Sequence, residues 1–191
     1  CCPLAEGVVL VVVDDGRNFL LTHDGYYDVI TFEPMPLAVA GVATFYSREF
    51  YELCRMRLAP GGIVIQWVPL HGTDLKVVRT LLSTFHEVFP ECNAWFLNAD
   101  LFVVGSASPL HIDISNAERR MNEPLIAEGM RQAGFADTTD LLSCFFMSRD
   151  AIASFSKAVP ALTDDRPWVE FLAPRLLRRQ TVGASLRALI P

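Results

Sequence analysis

Apolar runs broken by short polar segments divide the chain into elements of alternating type. The Val-rich run Val8 to Val13 has no polar position and ends at Asp14-Asp15-Gly16, the pattern of a parallel strand covered on both faces and followed by a loop. Arg17 to Thr22 suits a short helix. Tyr27 to Phe32 predicts a second buried strand, stopped by Glu33-Pro34-Met35-Pro36 because proline cannot donate to a sheet ladder. From Ser47 the period becomes helical: Ser47 suits the cap, Glu49 the positive end of the helix, and Phe50, Cys54 and Leu58 fall on one face. Pro60-Gly61-Gly62 is expected to end that helix. Ile63 to Val68 predicts a third strand, and Leu75, Val78, Leu82, Phe85 and Phe89 form the clearest helical stripe.

Beyond that stripe, Ala94 to Leu97 and Leu101 to Gly105 flank Asn98-Ala99-Asp100, a three-residue turn suited to an antiparallel hairpin. After Pro109 the chain turns polar and helical, with Pro124 near a helix start, Gly134 near its end and Ser148 placed to cap Asp150 to Ala158. Strands and helices alternating at short spacing predict an α/β fold. No internal repeat or low-complexity tract interrupts it.

Composition narrows the class. The chain has 191 residues, 51% of them apolar, enough for one domain with a sizeable core. Gly7 to Val13 is too short to span a bilayer, and no later run reaches membrane length. The N-terminus lacks the basic flank and cleavage pattern of a signal peptide, and its first residue is Cys rather than Met, the mark of a fragment or processed chain. Five cysteines without CxxC spacing argue against a disulfide framework and for a cytoplasmic location. The four histidines are far apart in sequence and no HExxH occurs, so no metal site is expected. A net charge of -6 disfavours a nucleic-acid groove and is compatible with a polycationic substrate.

Three stretches carry a family resemblance: "DDGRNFLLTHDGYYDVITFEPMPLAVAGVATFYSREFYELCRMRLAPGGIVIQWVPLHG" from Asp14 to Gly72, "VFPECNAWFLNADLFVVGS" from Val88 to Ser106, and "LTDDRPWVEFLAPR" from Leu162 to Arg175. Together they resemble the C-terminal portion of the spermidine synthase-like polyamine aminopropyltransferases. The nearest likeness is to a bacterial branch often fused to a membrane transporter-like half, so the chain could be the soluble domain of a membrane-fused protein. The resemblance implies a class I S-adenosylmethionine methyltransferase-like (Rossmann-like) α/β fold, a mostly parallel sheet ending in an antiparallel hairpin, with the N-terminal strands missing. Residues 1–191 then form a single partial domain, with the α/β sheet portion in 1–108 and a helical C-terminal portion in 109–191. No cofactor is expected to be bound permanently. The implied co-substrate is decarboxylated S-adenosylmethionine, and the implied acceptor is a diamine such as putrescine.

Individual positions acquire roles from the same resemblance. Asp15 and Gly16 match the pair that meets the adenine of the co-substrate, and the bland reading of Asp15 is an acidic turn after a strand. Glu33 stands where the family places its catalytic carboxylate, at the strand end where open α/β sheets bind ligands. The family's second acidic residue in that loop falls here on Pro36, a departure that bears on diamine binding. Gln66 and Trp67 match a Gln-Trp pair beside the amine channel, with Tyr46 lining the same mouth. Their structural alternative is a buried Trp with a strand-end hydrogen bonder. Asp164-Asp165-Arg166-Pro167 reads first as a loop of ion pairs. The Gly-rich loop and the acidic residue that hold the co-substrate's tail and ribose in this fold have no counterpart, so the chain alone is expected to be incomplete or inactive. Two other functions stay open, a methyltransferase acting on a small molecule and a non-catalytic remnant or interaction module. With two strands absent, Val8 to Val13 and Tyr27 to Phe32 should either pair directly or receive strands from another chain, which makes self-association or a missing N-terminal half the expected partner.

Overall fold

Most helices begin where a short polar side chain takes up the first free amides. In the computed structural model, which describes residues 9–176, Asp15 caps α1 (Gly16–Thr22), accepting from the amides of Arg17 and Asn18. The first strand, β1, is Tyr27–Phe32. A 3₁₀ turn over Val42–Tyr46 leads to Ser47, which caps α2 (Arg48–Met56) as expected, its Oγ accepting from Phe50 N at 3.2 Å. Next come β2 (Leu58–Val68), then α3 (Leu75–Val88), capped by Asp74, and the pair β3 (Glu91–Leu97) and β4 (Asp100–Ser106). The remainder is α4 (Ile114–Met121), α5 (Pro124–Gln132), α6 (Thr138–Ser143), β5 (Phe145–Met147), α7 (Arg149–Phe155) and α8 (Trp168–Leu176). Ser148 caps α7, accepting from Ala151 N, and Pro124 opens α5.

The five strands form one mixed sheet in the order β1-β2-β4-β3-β5. The β1–β2 pair is parallel, and the other three pairings are antiparallel. Burial alternates along β3 and β4: Cys92, Ala94, Leu101 and Val103 are buried while Asn93, Trp95, Phe102 and Val104 are half-buried. The more buried face lies against helices. Gly105 of β4 shows how closely: a Cβ there would lie 2.5 Å from Phe85 Cε1 and 2.7 Å from Phe89 Cβ, so α3 rests directly on backbone. Tyr51 links α2 to the same cluster, meeting the Phe85 ring edge-on at a centroid distance of 5.0 Å.

Several expectations are corrected. Residues 9–13 form no strand; Val9 to Val13 are exposed and pair with nothing among the described residues, and Val8 lies outside them. A continuous apolar run becomes a strand only where a neighbouring backbone takes its hydrogen bonds, and no described strand does so here. Direct pairing with Tyr27 to Phe32 therefore does not occur. β1 itself is an edge strand, with Ile30 its one fully buried residue, rather than a buried central strand.

Pro60-Gly61-Gly62 does not end the helix either. That helix stops at Met56, with Arg57 its C-cap, and the three residues lie inside β2. There the register jumps from Tyr27↔Leu58 to Val29↔Ile63, so β2 carries a bulge. Gly62 is required at this point, because a Cβ would lie 2.9 Å from the carbonyl oxygens of both Tyr27 and Ala59. The hairpin turn is shorter than expected, Asn98 and Ala99 with φ of 52° and 68°, since Asp100 already pairs with Leu97. Lastly, β5 adds a strand within the predominantly helical second half.

Candidate functional site

The parallel strands β1 and β2 run side by side to a common carboxyl end, with Phe32 opposite Gln66 in the register. Glu33 is the next residue after β1 and is exposed. Pro34 and Pro36 keep the following segment out of the ladder, which leaves that carboxylate at the strand end. Tyr46, at the end of the 3₁₀ turn, is fully buried, and its hydroxyl has no hydrogen-bond partner among the described residues. Burial pushes its phenol pKa well up, and the charge of Glu33 pushes the same way. Tyr46 is therefore a neutral, unpaired hydroxyl within electrostatic reach of Glu33.

Asp15 and Gly16 lie at the start of α1. One carboxylate oxygen of Asp15 accepts from the amides of Arg17 and Asn18, each at 3.0 Å, so the residue does work as a helix cap. Gly16 lines a largely apolar cavity of about 310 Å³ together with Phe19, Tyr27, Phe32, Phe45 and Phe50. Phe32 immediately precedes Glu33, and Phe45 immediately precedes Tyr46. The structure thus brings Gly16, the end of β1 and the 3₁₀ turn to one cavity.

Gln66 and Trp67 face inward instead. Gln66 is fully buried; its Oε1 accepts from Tyr51 Oη at 3.3 Å and its Nε2 donates to the Trp67 carbonyl at 2.8 Å. Its amide is used within the protein. Trp67 is 6% exposed, and its ring lies 5.6 Å from that of His71, with Nε1 unpaired among the described residues. Both residues fit the structural alternative of core tryptophan and strand-end hydrogen bonder.

A pair that residue-by-residue reading missed ties this region together. Arg17 binds the Asp164 carboxylate through both terminal nitrogens and also donates to the Thr44 carbonyl at 3.3 Å. Its guanidinium lies 5.9 Å from the centre of the Phe50 ring. The hydrogen bonds from Arg17 hold the Asp164 carboxyl below the usual aspartate range, despite partial burial. The Asp-Asp-Arg-Pro motif signalled this, since it reads as a loop of ion pairs, but its partner lies 147 positions away. Among the described residues no group of three or more His, Cys, Asp or Glu side chains is arranged to hold a metal ion. No helix among them is long and apolar enough to cross a membrane.

No family model matches the sequence. The chain is 28% identical over 169 residues to polyamine aminopropyltransferase 2 of Pseudomonas aeruginosa, covering 83% of this chain and 48% of that protein. It is 24% identical over 164 residues to a polyamine aminopropyltransferase of Saccharolobus islandicus, covering 82% of this chain and 53% of the other. Among solved structures, a "probable spermidine synthase" from Corynebacterium glutamicum superposes with a TM-score of 0.54 at 20% identity, over 80% of this chain and 53% of that one. The chain spans about half the length of the curated relatives it matches. The chain is thus similar in sequence to polyamine aminopropyltransferases and has the α/β fold of a spermidine synthase.

Proposed function

We propose that this domain serves polyamine aminopropyl transfer, with decarboxylated S-adenosylmethionine as donor and a diamine such as putrescine as acceptor. The observation that carries the reading is the shared cavity: Gly16 lines it together with Phe32 and Phe45, the residues that precede Glu33 and Tyr46. Its phenylalanine walls and its volume suit a nucleobase, which would lie against Gly16 with Asp15 at its polar edge. In the reaction, a neutral amine forms a C–N bond at the propyl carbon next to the sulfonium. The C–S bond breaks, its electrons return to sulfur, and methylthioadenosine leaves. The new ammonium loses a proton to the Glu33 carboxylate, while Tyr46 stays buried and neutral next in sequence to Phe45 of the cavity wall. Gln66 and Trp67 belong to the buried part of β2 next to β1. The setting we propose is the cytoplasm.

Because the chain spans about half of its relatives' length, it supplies part of the site, and the purified chain is expected to form little spermidine on its own. Calorimetric titration with methylthioadenosine tests the reading. Saturable binding that weakens in Asp15→Ala and is displaced by decarboxylated S-adenosylmethionine supports it. Absence of binding, both to the chain and to a longer protein containing it, overturns it. Methyl transfer from S-adenosylmethionine to a small amine would replace it with the methyltransferase alternative.

A further inference from the structure

We propose that Arg17 and Asp164 are positioning residues, a clasp that holds the Asp15–Gly16 turn at the mouth of the cavity. The inference rests on the proposed function for what the turn binds, and on geometry alone for what holds it. Helix α1 has seven residues, of which Leu20 is the one buried, so its own packing gives it little anchorage. The chain before it, residues 9–13, is exposed and pairs with nothing among the described residues. Arg57 holds the far end of the helix by donating to the carbonyls of Leu20 at 2.8 Å and Leu21 at 3.2 Å. Arg17 supplies the tie at the end that bears Asp15 and Gly16.

Its two terminal nitrogens take both Asp164 oxygens in the fork geometry that gives arginine–carboxylate pairs their directionality. One of them also reaches the Thr44 carbonyl in the 3₁₀ turn that ends at Tyr46. Asp164 is held in turn, its backbone amide donating to Glu49 Oε2 of α2 at 3.0 Å. The neighbouring loop is pinned where Arg48 N donates to the Leu162 carbonyl at 2.9 Å and Leu162 N donates to Thr84 Oγ1 at 2.8 Å. An isolated surface pair contributes little, because ordering two long side chains cancels most of the attraction. This pair differs: its side chains are 23% and 36% exposed, and the loop that carries the acid is held by hydrogen bonds of its own. One guanidinium therefore sets the spacing between the element bearing Asp15 and Gly16 and the element bearing Tyr46.

The test is a double-substitution cycle on the full chain, read by hydrogen exchange of the α1 amides of Phe19 and Leu20 and by titration with methylthioadenosine. Asp164→Asn and Arg17→Met should each speed exchange at these amides by about fivefold, and the double variant should be no faster than either single one. Exchange in β4 and the thermal midpoint should stay close to those of the parent. Methylthioadenosine affinity should fall by a similar factor in all three variants. Strictly additive effects, or α1 exchange unchanged in Asp164→Asn, overturn the clasp. Parent protein that fails to bind methylthioadenosine overturns the nucleoside reading instead, while the exchange cycle still decides whether the turn is held.

Discussion

Glu33 follows β1 and Gln66 lies near the end of the neighbouring β2, yet the carboxylate stands in solvent and the amide side chain is sealed in the core. The contrast separates what residue types reveal from what they do not. A carboxylate after an apolar run and before two prolines had to lie at a strand end, so the place of Glu33 was legible. Whether Gln66 faced a channel depended on which helices cover the sheet and on strand parity, and neither is written in a local pattern. The expected consequence is that Glu33→Gln, in an active protein containing this domain, lowers kcat by about 10²–10⁴-fold with little change in KM, because it removes a proton acceptor and keeps the size. Steady-state kinetics check this, and a KM effect without loss of kcat would reassign Glu33 to binding. The buried thiols give a second outcome. Burial pushes Cys54 and Cys92 up to about 12, so both stay protonated through the neutral range and acquire thiolate only as pH approaches that value. Mass spectrometry after iodoacetamide at pH 8 should find these two unmodified until denaturant is added.

At the scale of elements, periodicity was informative where an element meets a fixed neighbour on one side. The stripe Leu75 to Phe89 and the cap at Ser47 predicted α3 and α2 because a helix face and its first free amides are local properties. The failures share one cause. Residues 9–13 have strand composition without a partner, Pro60-Gly61-Gly62 has turn composition inside a bulged strand, and β5 at three residues is too short to show any period. Each depends on backbone far away in sequence. Where α3 meets the sheet, Gly105→Ala is expected to destabilise by about 1–3 kcal/mol, since the added methyl must displace the Phe85 and Phe89 rings of a packed core. The urea midpoint measures it; an unchanged midpoint would mean that α3 sits farther from β4 than the structure has it.

At the scale of the whole molecule, β1 is an edge strand that pairs among the described residues with β2 alone; its Val29 is 51% exposed, and the apolar run from Val9 to Val13 is exposed as well. An open edge flanked by apolar side chains favours association. Sedimentation velocity should show assembly that grows with protein concentration and diminishes in Val29→Lys, and a monomer at all concentrations would remove that expectation. The bond between Arg17 and Asp164 also has a consequence in time. A ribosome adding about 5–20 residues per second releases Asp164 on the order of ten seconds after Arg17. During synthesis the guanidinium thus waits without its carboxylate while β1, β2 and α3 emerge. Closing so long a loop costs little more than closing a short one, so the delay comes from translation rather than from chain entropy. The turn bearing Asp15 and Gly16 is accordingly among the last features to settle, and a nascent chain halted before Asp164 would hold that turn without its clasp.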